Sequence, residues 1–411
     1  MLSTAKAASA LLVLLLDLVS AHDGSSRSRH FPGKQLVFGR DSFENTTLSY
    51  ATCDLAEGQS EKRCTVVRED DALNGTLRAV SCEVTLKAEK AERLIGPRMK
   101  VVPLGLDRAI FIWTESDRKE SRSRETTLVR YTTVKYPECR STEAKLSYAR
   151  KDDEVNPDSY LERVRMATYS DSTYCLVFSN DSLCGGKNVC KLHVDPEAGE
   201  TEAPDKWFTP ESGLVEVVPL AQHSQEKGHL VVEGTFVNVP QAYVVKRDGQ
   251  IMKFPSELDA QRSWKLVHST AHSTIGLCYH SNSSFSCARY DHEGQPKLRS
   301  NPDFGYDVEQ AAMHNLRDGG FLLLTSRCES ICAMNDDHYY VTKFDAQGRK
   351  AGEVHLTGFH RERLSNLVNA QLFEKDDKLY CVSMARYSIS PTAESPDLLT
   401  FANCFDDKSF K

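Results

Sequence analysis

His268 and His272 lie four residues apart in the run KLVHSTAHS. On a β-strand that spacing sets both imidazoles on one side, where they could meet a metal ion or a small ligand. One strand offers only two such ligands, and no matching histidine or acidic residue stands out at that place elsewhere in the chain. Polar lining or a surface turn is therefore the expected role of the pair. The segments CGGKNVC, with Cys184 and Cys190, and CESIC, with Cys328 and Cys332, raise the question of zinc. A structural zinc site needs further Cys or His at compatible spacing, and reduced thiols. Neither segment supplies them. The chain also lacks a G-x-S-x-G elbow, an H-E-x-x-H pair and a phosphate-binding G-x-x-x-x-G-K-[ST] loop. No cofactor is expected, and any catalytic residues must be scattered along the sequence.

The N-terminus sets the compartment in which such residues would work. Lys6 precedes a short apolar run at 7–16, and Val19, Ser20 and Ala21 offer the small residues that a signal peptidase reads. The run is about half the length that a membrane-spanning helix needs, and no later stretch comes closer. Residues 1–21 are expected to be a cleaved signal peptide. Residues 22–34 are expected to form a flexible arm containing the basic tract Arg27, Ser28, Arg29. Export agrees with N-x-[ST] sequons at Asn45, Asn74, Asn180 and Asn282, each a candidate glycosylation site. It also agrees with 13 cysteines in 411 residues. A formal net charge of −7 argues against a surface that grips nucleic-acid phosphates. The 40% apolar content is enough for a packed core.

Helical periodicity is scarce. Short strand-like runs recur instead, separated by Gly, Asp, Asn and Pro. Aligned against one another they form about seven copies of roughly 50 residues, each with three or four strands. The third strand often ends in an Asp/Gly turn, as in AYVVKRDGQ from Ala242 and YYVTKFDAQGR from Tyr339. This pattern predicts an all-β fold. The expected architecture is a β-propeller of about seven blades, with six possible, forming a single domain over 35–408. Two β-sandwiches in tandem are the alternative. The last copy shows only three strands, and residues 35–39 could complete it as a closing clasp.

The copies also put the cysteines in register. In four of them a Cys in the second strand is followed by one in the third: Cys53 with Cys64, Cys175 with Cys190, Cys278 with Cys287, and Cys381 with Cys404. Adjacent antiparallel strands bring opposed side chains close enough for a disulfide, so four braces are expected inside blades. Cys328 and Cys332 could close a tight loop, and Cys82 and Cys139 could link the first two copies. Cys184 is then the odd cysteine, free or bridged to a second chain. The chain would be a monomer or a disulfide-linked dimer.

Connections between second and third strands are long at 114–126, 326–338 and 387–397, and elaborated loops on a rigid scaffold concentrate binding residues. These features imply a secreted, glycosylated, disulfide-braced propeller that binds an extracellular protein or glycan without catalysis. The binding face would be built by copies six, seven, one and two. A small-ligand carrier using the central channel is one alternative, and a propeller-type hydrolase is the other. A hydrolase would bring carboxylates or histidines together at the mouth of the channel with perturbed pKa values. A pure binder would lack that cluster.

Overall fold

The computed structural model describes residues 25–411 apart from 39–42, 45–46, 56–58, 71–77, 89, 92, 105–106, 118–127, 143–144, 150–164, 169–173, 180–188, 195–204, 210–213, 221–227, 236–237, 247–249, 254–264, 282–283, 305–307, 329–336, 357–364, 377 and 389–396. The expected signal peptide, all four sequon asparagines, Cys184 and Cys332 lie outside the described residues. No helix among the described residues is long and apolar enough to cross a membrane.

Those residues form seven antiparallel sheets of four or five strands. The first contains Lys34–Val37, Phe43–Glu44, Thr47–Asp54, Glu61–Asp70 and Arg78–Lys87. The second contains Arg93–Leu104, Arg108–Asp117, Leu128–Lys135, Arg140–Ser141 and Lys145–Ala149. The third is Arg165–Thr168, Tyr174–Ser179, Val189–Val194 and Asp205–Phe208. Leu214–Pro219, Gly228–Thr235, Asn238–Lys246 and Ile251–Lys253 make the fourth. The fifth follows with Lys265–Ser269, Thr274–Ser281, Ser284–Asp291 and Pro296–Ser300. The sixth is Val308–Asn315, Phe321–Cys328, Asp337–Phe344 and Lys350–His355. In the seventh, Ser365–Asp376, Leu379–Ser388 and Asp397–Asp406 are joined by Ser25–His30 from the other end of the chain.

Side chains alternate across a strand, and here both faces are apolar. In the fifth sheet Ile275, Leu277 and Tyr279 pack with Leu230 and Val244 of the fourth. Cys278, Phe285 and Cys287 on its other face pack with Phe321 and Leu323 of the sixth. Leu322 and Leu324, one residue out of phase, turn to Val382, Met384 and Phe401 of the seventh. The first and second sheets share a cluster around Val66, Phe111 and Trp113. The seventh meets the first through Ala385, Leu398, Leu48 and Tyr50. The core is thus a series of slabs between consecutive sheets.

Two expectations about the N-terminus are corrected. Residues 35–39 do not form the clasp, because Lys34–Val37 pairs with Thr47–Asp54 as the first strand of its own sheet. Nor is 22–34 wholly an arm: Ser25–His30 pairs along its full length with Asp397–Asp406, His30 opposite Asp397 and Ser25 opposite Ala402. The segment SSRSRH carries no apolar alternation, which hid it as a strand. Its polar side chains do the fastening. His30 Nδ1 lies 2.5 Å from Asp397 Oδ1. Arg29 donates to the Tyr50 hydroxyl at 3.0 Å and pairs with the buried Glu69, both in the first sheet. Tyr50 in turn donates to Glu69 at 2.5 Å, and burial followed by the Glu69 charge raises the Tyr50 hydroxyl pKa.

Four disulfides occur among the described residues. Cys53–Cys64, Cys278–Cys287 and Cys381–Cys404 join directly opposed residues of second and third strands, with Cα–Cα distances of 4.1, 4.1 and 4.0 Å. Cys82–Cys139 ties the first sheet to the second across 5.0 Å. The third sheet departs from the expected pattern. Its register sets Cys175 opposite His193 and Cys190 opposite Phe178. The two cysteines are three rungs apart, so their backbones are not directly opposed. Of the CESIC pair only the Cys328 backbone is described, opposite Asp337.

Replacing Arg29 with alanine removes the cation beside a buried carboxylate and is expected to cost about 1–3 kcal/mol. Urea unfolding of Arg29→Ala against wild type measures this, and an unchanged midpoint would contradict the fastening role of the added strand.

Candidate functional site

His268 and His272 do not share a strand. Lys265–Ser269 ends before His272, which lies in the 3-10 turn Ala271–Ser273 leading into the second strand. His272 and Ser273 both adopt left-handed backbone, with φ of 54° and 56°. Residues with a Cβ rarely hold this conformation, and it persists where surroundings impose it. The two imidazoles therefore do not line one side of a strand, and His268 is not part of the group that forms around His272.

That group comes from three consecutive sheets. His314 sits near the end of the first strand of the sixth sheet, opposite Leu322. Glu374 sits near the end of the first strand of the seventh, opposite Tyr380. Each opposes the second residue of the following strand, so the two occupy equivalent rungs beside the turn. His272 lies in the corresponding turn of the fifth sheet. The expectation that no other copy would supply a matching His or acid is thus overturned. One donor atom from each of His272, His314 and Glu374 lies within 4.8 Å of the others. His272 Nε2 is 3.0 Å from Glu374 Oε2, and the two imidazoles meet edge to face at 5.7 Å between centroids. Arg317 Nε approaches Glu374 Oε2 at 3.7 Å from a largely exposed side chain.

A buried staple holds the turn. The Asn315 amide donates from Nδ2 to Thr274 Oγ1 at 2.9 Å, to the Thr274 carbonyl at 3.2 Å and to the Ser269 carbonyl at 3.3 Å. Ser269 Oγ accepts from the Asn315 backbone N–H at 2.8 Å, and Thr274 Oγ1 donates to the Ala271 carbonyl at 3.0 Å. Asn315 fits because position 276 is glycine. A Cβ there would lie 2.3 Å from Asn315 Oδ1 and 2.6 Å from Met313 Cε. The residue next to His314 thus fixes the turn that carries His272.

The electrostatics are uneven. Burial, helped by the nearby His272, lowers the His314 pKa from 6.5 to about 4, so this imidazole is neutral at physiological pH. Nε2 of His272, Nε2 of His314 and Oε2 of Glu374 are shut off from solvent, and none makes a hydrogen bond of acceptable geometry. Two imidazoles and a carboxylate brought together in this way can hold a cation or pass a proton.

No family model matches the chain, and no curated protein matches it. Solved structures do. A prolyl endopeptidase aligns at 9% identity with a TM-score of 0.46, covering 92% of this chain and 51% of its own. The NanB sialidase of Streptococcus pneumoniae aligns at 8% identity and 0.40, covering 95% and 70%. AofleA from Arthrobotrys oligospora aligns at 7% and 0.40, covering 82% and 94%. The chain spans about half the length of the prolyl endopeptidase. At these identities and TM-scores the likeness assigns this chain neither an activity nor a site.

Scanning for one strand bearing several ligands missed this group, because each sheet contributes a single residue. Aligning the copies on the turn between first and second strands would have placed His314 and Glu374 together.

Two outcomes are expected. Gly276→Ala should displace Asn315 and cost about 1–3 kcal/mol in a thermal or urea melt; an unshifted melt would contradict the staple. The second concerns pH. As pH falls through 6.5 the unfolded chain protonates His314, while the folded protein does not until about 4. The folded state therefore loses stability over that window, by up to about 3 kcal/mol, and loses none from this group above it. Urea midpoints at about pH 7 and about pH 4.5 should differ less in His314→Gln than in wild type.

Proposed function

We propose that the seven sheets close into one ring, a seven-bladed propeller of the extracellular space. It would bind a protein or glycan partner without catalysis. The observation that carries this reading is the uneven spacing of second and third strands. They are separated by residues 118–127, 180–188, 329–336 and 389–396 in the second, third, sixth and seventh sheets, but only by 55–60, 236–237 and 282–283 in the first, fourth and fifth. Large insertions on one end of a rigid scaffold are where recognition concentrates.

Ring closure is supported by the apolar slabs joining the first sheet to the second, and the fourth through to the seventh and back to the first. First strands of the third and fourth sheets also lie side by side. Borrowing Ser25–His30 for the seventh sheet agrees with closure, since it joins the two ends of the chain. The disulfides agree with an oxidising compartment. Asn180 and Asn282 fall in the same class of connection in the third and fifth sheets, so glycans there would flank the proposed face.

The His272, His314 and Glu374 group favours a second reading. Converging histidines and a carboxylate at first-strand ends are what the hydrolase alternative requires. The group sits at or beside the turns between first and second strands, at the end of the sheets opposite the long connections.

Deletion of 116–124 or of 388–395 is expected to leave secretion intact and to weaken partner capture from extracellular fluid by about tenfold or more, the loss of roughly 1.4 kcal/mol of contact energy. Equal capture by wild type and both deletions would overturn the reading.

A further inference from the structure

We propose that His272, His314 and Glu374 form a binding site for a zinc-class divalent ion, with one coordination position left open. This goes beyond the partner-binding reading and does not depend on it, since the group lies at the other end of the sheets.

The first argument is convergence. Three sheets each deliver one side chain, and one donor atom from each falls within 4.8 Å of the other two. Tetrahedral coordination at bonds of about 2.0–2.1 Å sets donors roughly 3.3 Å apart. His272 Nε2 and Glu374 Oε2 already stand at 3.0 Å, and a modest side-chain rotation closes the rest.

The second is the state of the donor atoms. Nε2 of both histidines and Oε2 of Glu374 are buried without a hydrogen bond, although buried polar groups are normally paired. The Glu374 side chain is only 6% exposed. Its charge is faced by His272 and, more loosely, by Arg317, whose side chain is 57% exposed.

The third is pre-organisation. The left-handed His272 and Ser273 are held in place by the Asn315 hydrogen bonds to Ser269 and Thr274. A surface turn with no task has no need of such a restraint on a histidine.

The donor set selects the ion. Two imidazole nitrogens and one carboxylate suit zinc with a water or ligand in the fourth position. Calcium and magnesium prefer all-oxygen shells. A second histidine pair, His338 and His355, has ring nitrogens 3.1 Å apart but is exposed, and serves as the control.

The test uses the full chain, stripped with EDTA and dialysed. Titration with ZnCl₂ by calorimetry should show one ion per chain with a Kd of about 1 µM or tighter, while CaCl₂ and MgCl₂ give no binding in that range. Co²⁺ should give the intense visible absorption of a tetrahedral site. His272→Ala and Glu374→Gln should each weaken zinc by about tenfold or more, and His355→Ala should leave it unchanged. Circular dichroism confirms that each variant is folded; should Glu374→Gln fail to fold, His272→Ala in its partly exposed turn carries the comparison. No zinc binding by folded wild type, undiminished affinity in the folded variants, or loss in His355→Ala would each overturn the proposal.

Discussion

A four-stranded sheet with apolar residues on both faces cannot stand alone in water. Each fully buried aliphatic or aromatic side chain contributes about 1.5–3 kcal/mol relative to exposure, and both faces of most sheets here carry several. Ile275, Leu277 and Tyr279 face one neighbour while Cys278 and Phe285 face the other. This double burial forces the sheets to stack and sets which strand ends become neighbours. The cross-strand bridges lie within that packing: Cys53 and Cys64 belong to the slab between the first two sheets, and Cys278 and Cys287 to the slab between the fifth and sixth.

The fastening of the two chain ends obeys a different rule. Ser25–His30 adds backbone hydrogen bonding to the seventh sheet without apolar side chains of its own. It pays for ordering through Arg29, whose charge meets a buried Glu69 and the Tyr50 hydroxyl in the next sheet. The contact therefore links the seventh sheet to the first as well as the last strand to its neighbour.

What was legible in the sequence follows from these two rules. Apolar alternation and Asp/Gly turns such as Asp345 to Gly348, where Gly348 takes a φ of 76°, mark strands and their ends directly. Three of the four expected cross-strand cysteine pairs coincide with observed bridges because register and spacing agree there. Between Cys175 and Cys190 the residue spacing resembles the others, but the ladder is shifted by three rungs. Spacing along a chain does not determine register across a pair of strands. The polar strand Ser25–His30 was unreadable for a related reason: its pairing energy resides in backbone groups and charges that leave no periodic trace.

The His272, His314 and Glu374 group was hidden by the same geometry that creates it. Residues separated by about 50 positions become neighbours only when sheets stack, since each sheet offers its first-strand end at the same height. Function built in this way is repeat-like in position and non-repeating in chemistry: histidine, histidine and glutamate stand at related places in three successive copies. Asn315 shows how the stacking is turned to local precision. It sits beside His314 in one sheet, yet its amide fixes the turn of the previous sheet that carries His272, and Gly276 leaves the space that lets it do so. A substitution at either position would move a donor of the group without touching any of the three side chains. The placement of His272 is thus a property of the junction between two sheets, and only through that junction does a lone histidine on a surface turn become part of a site.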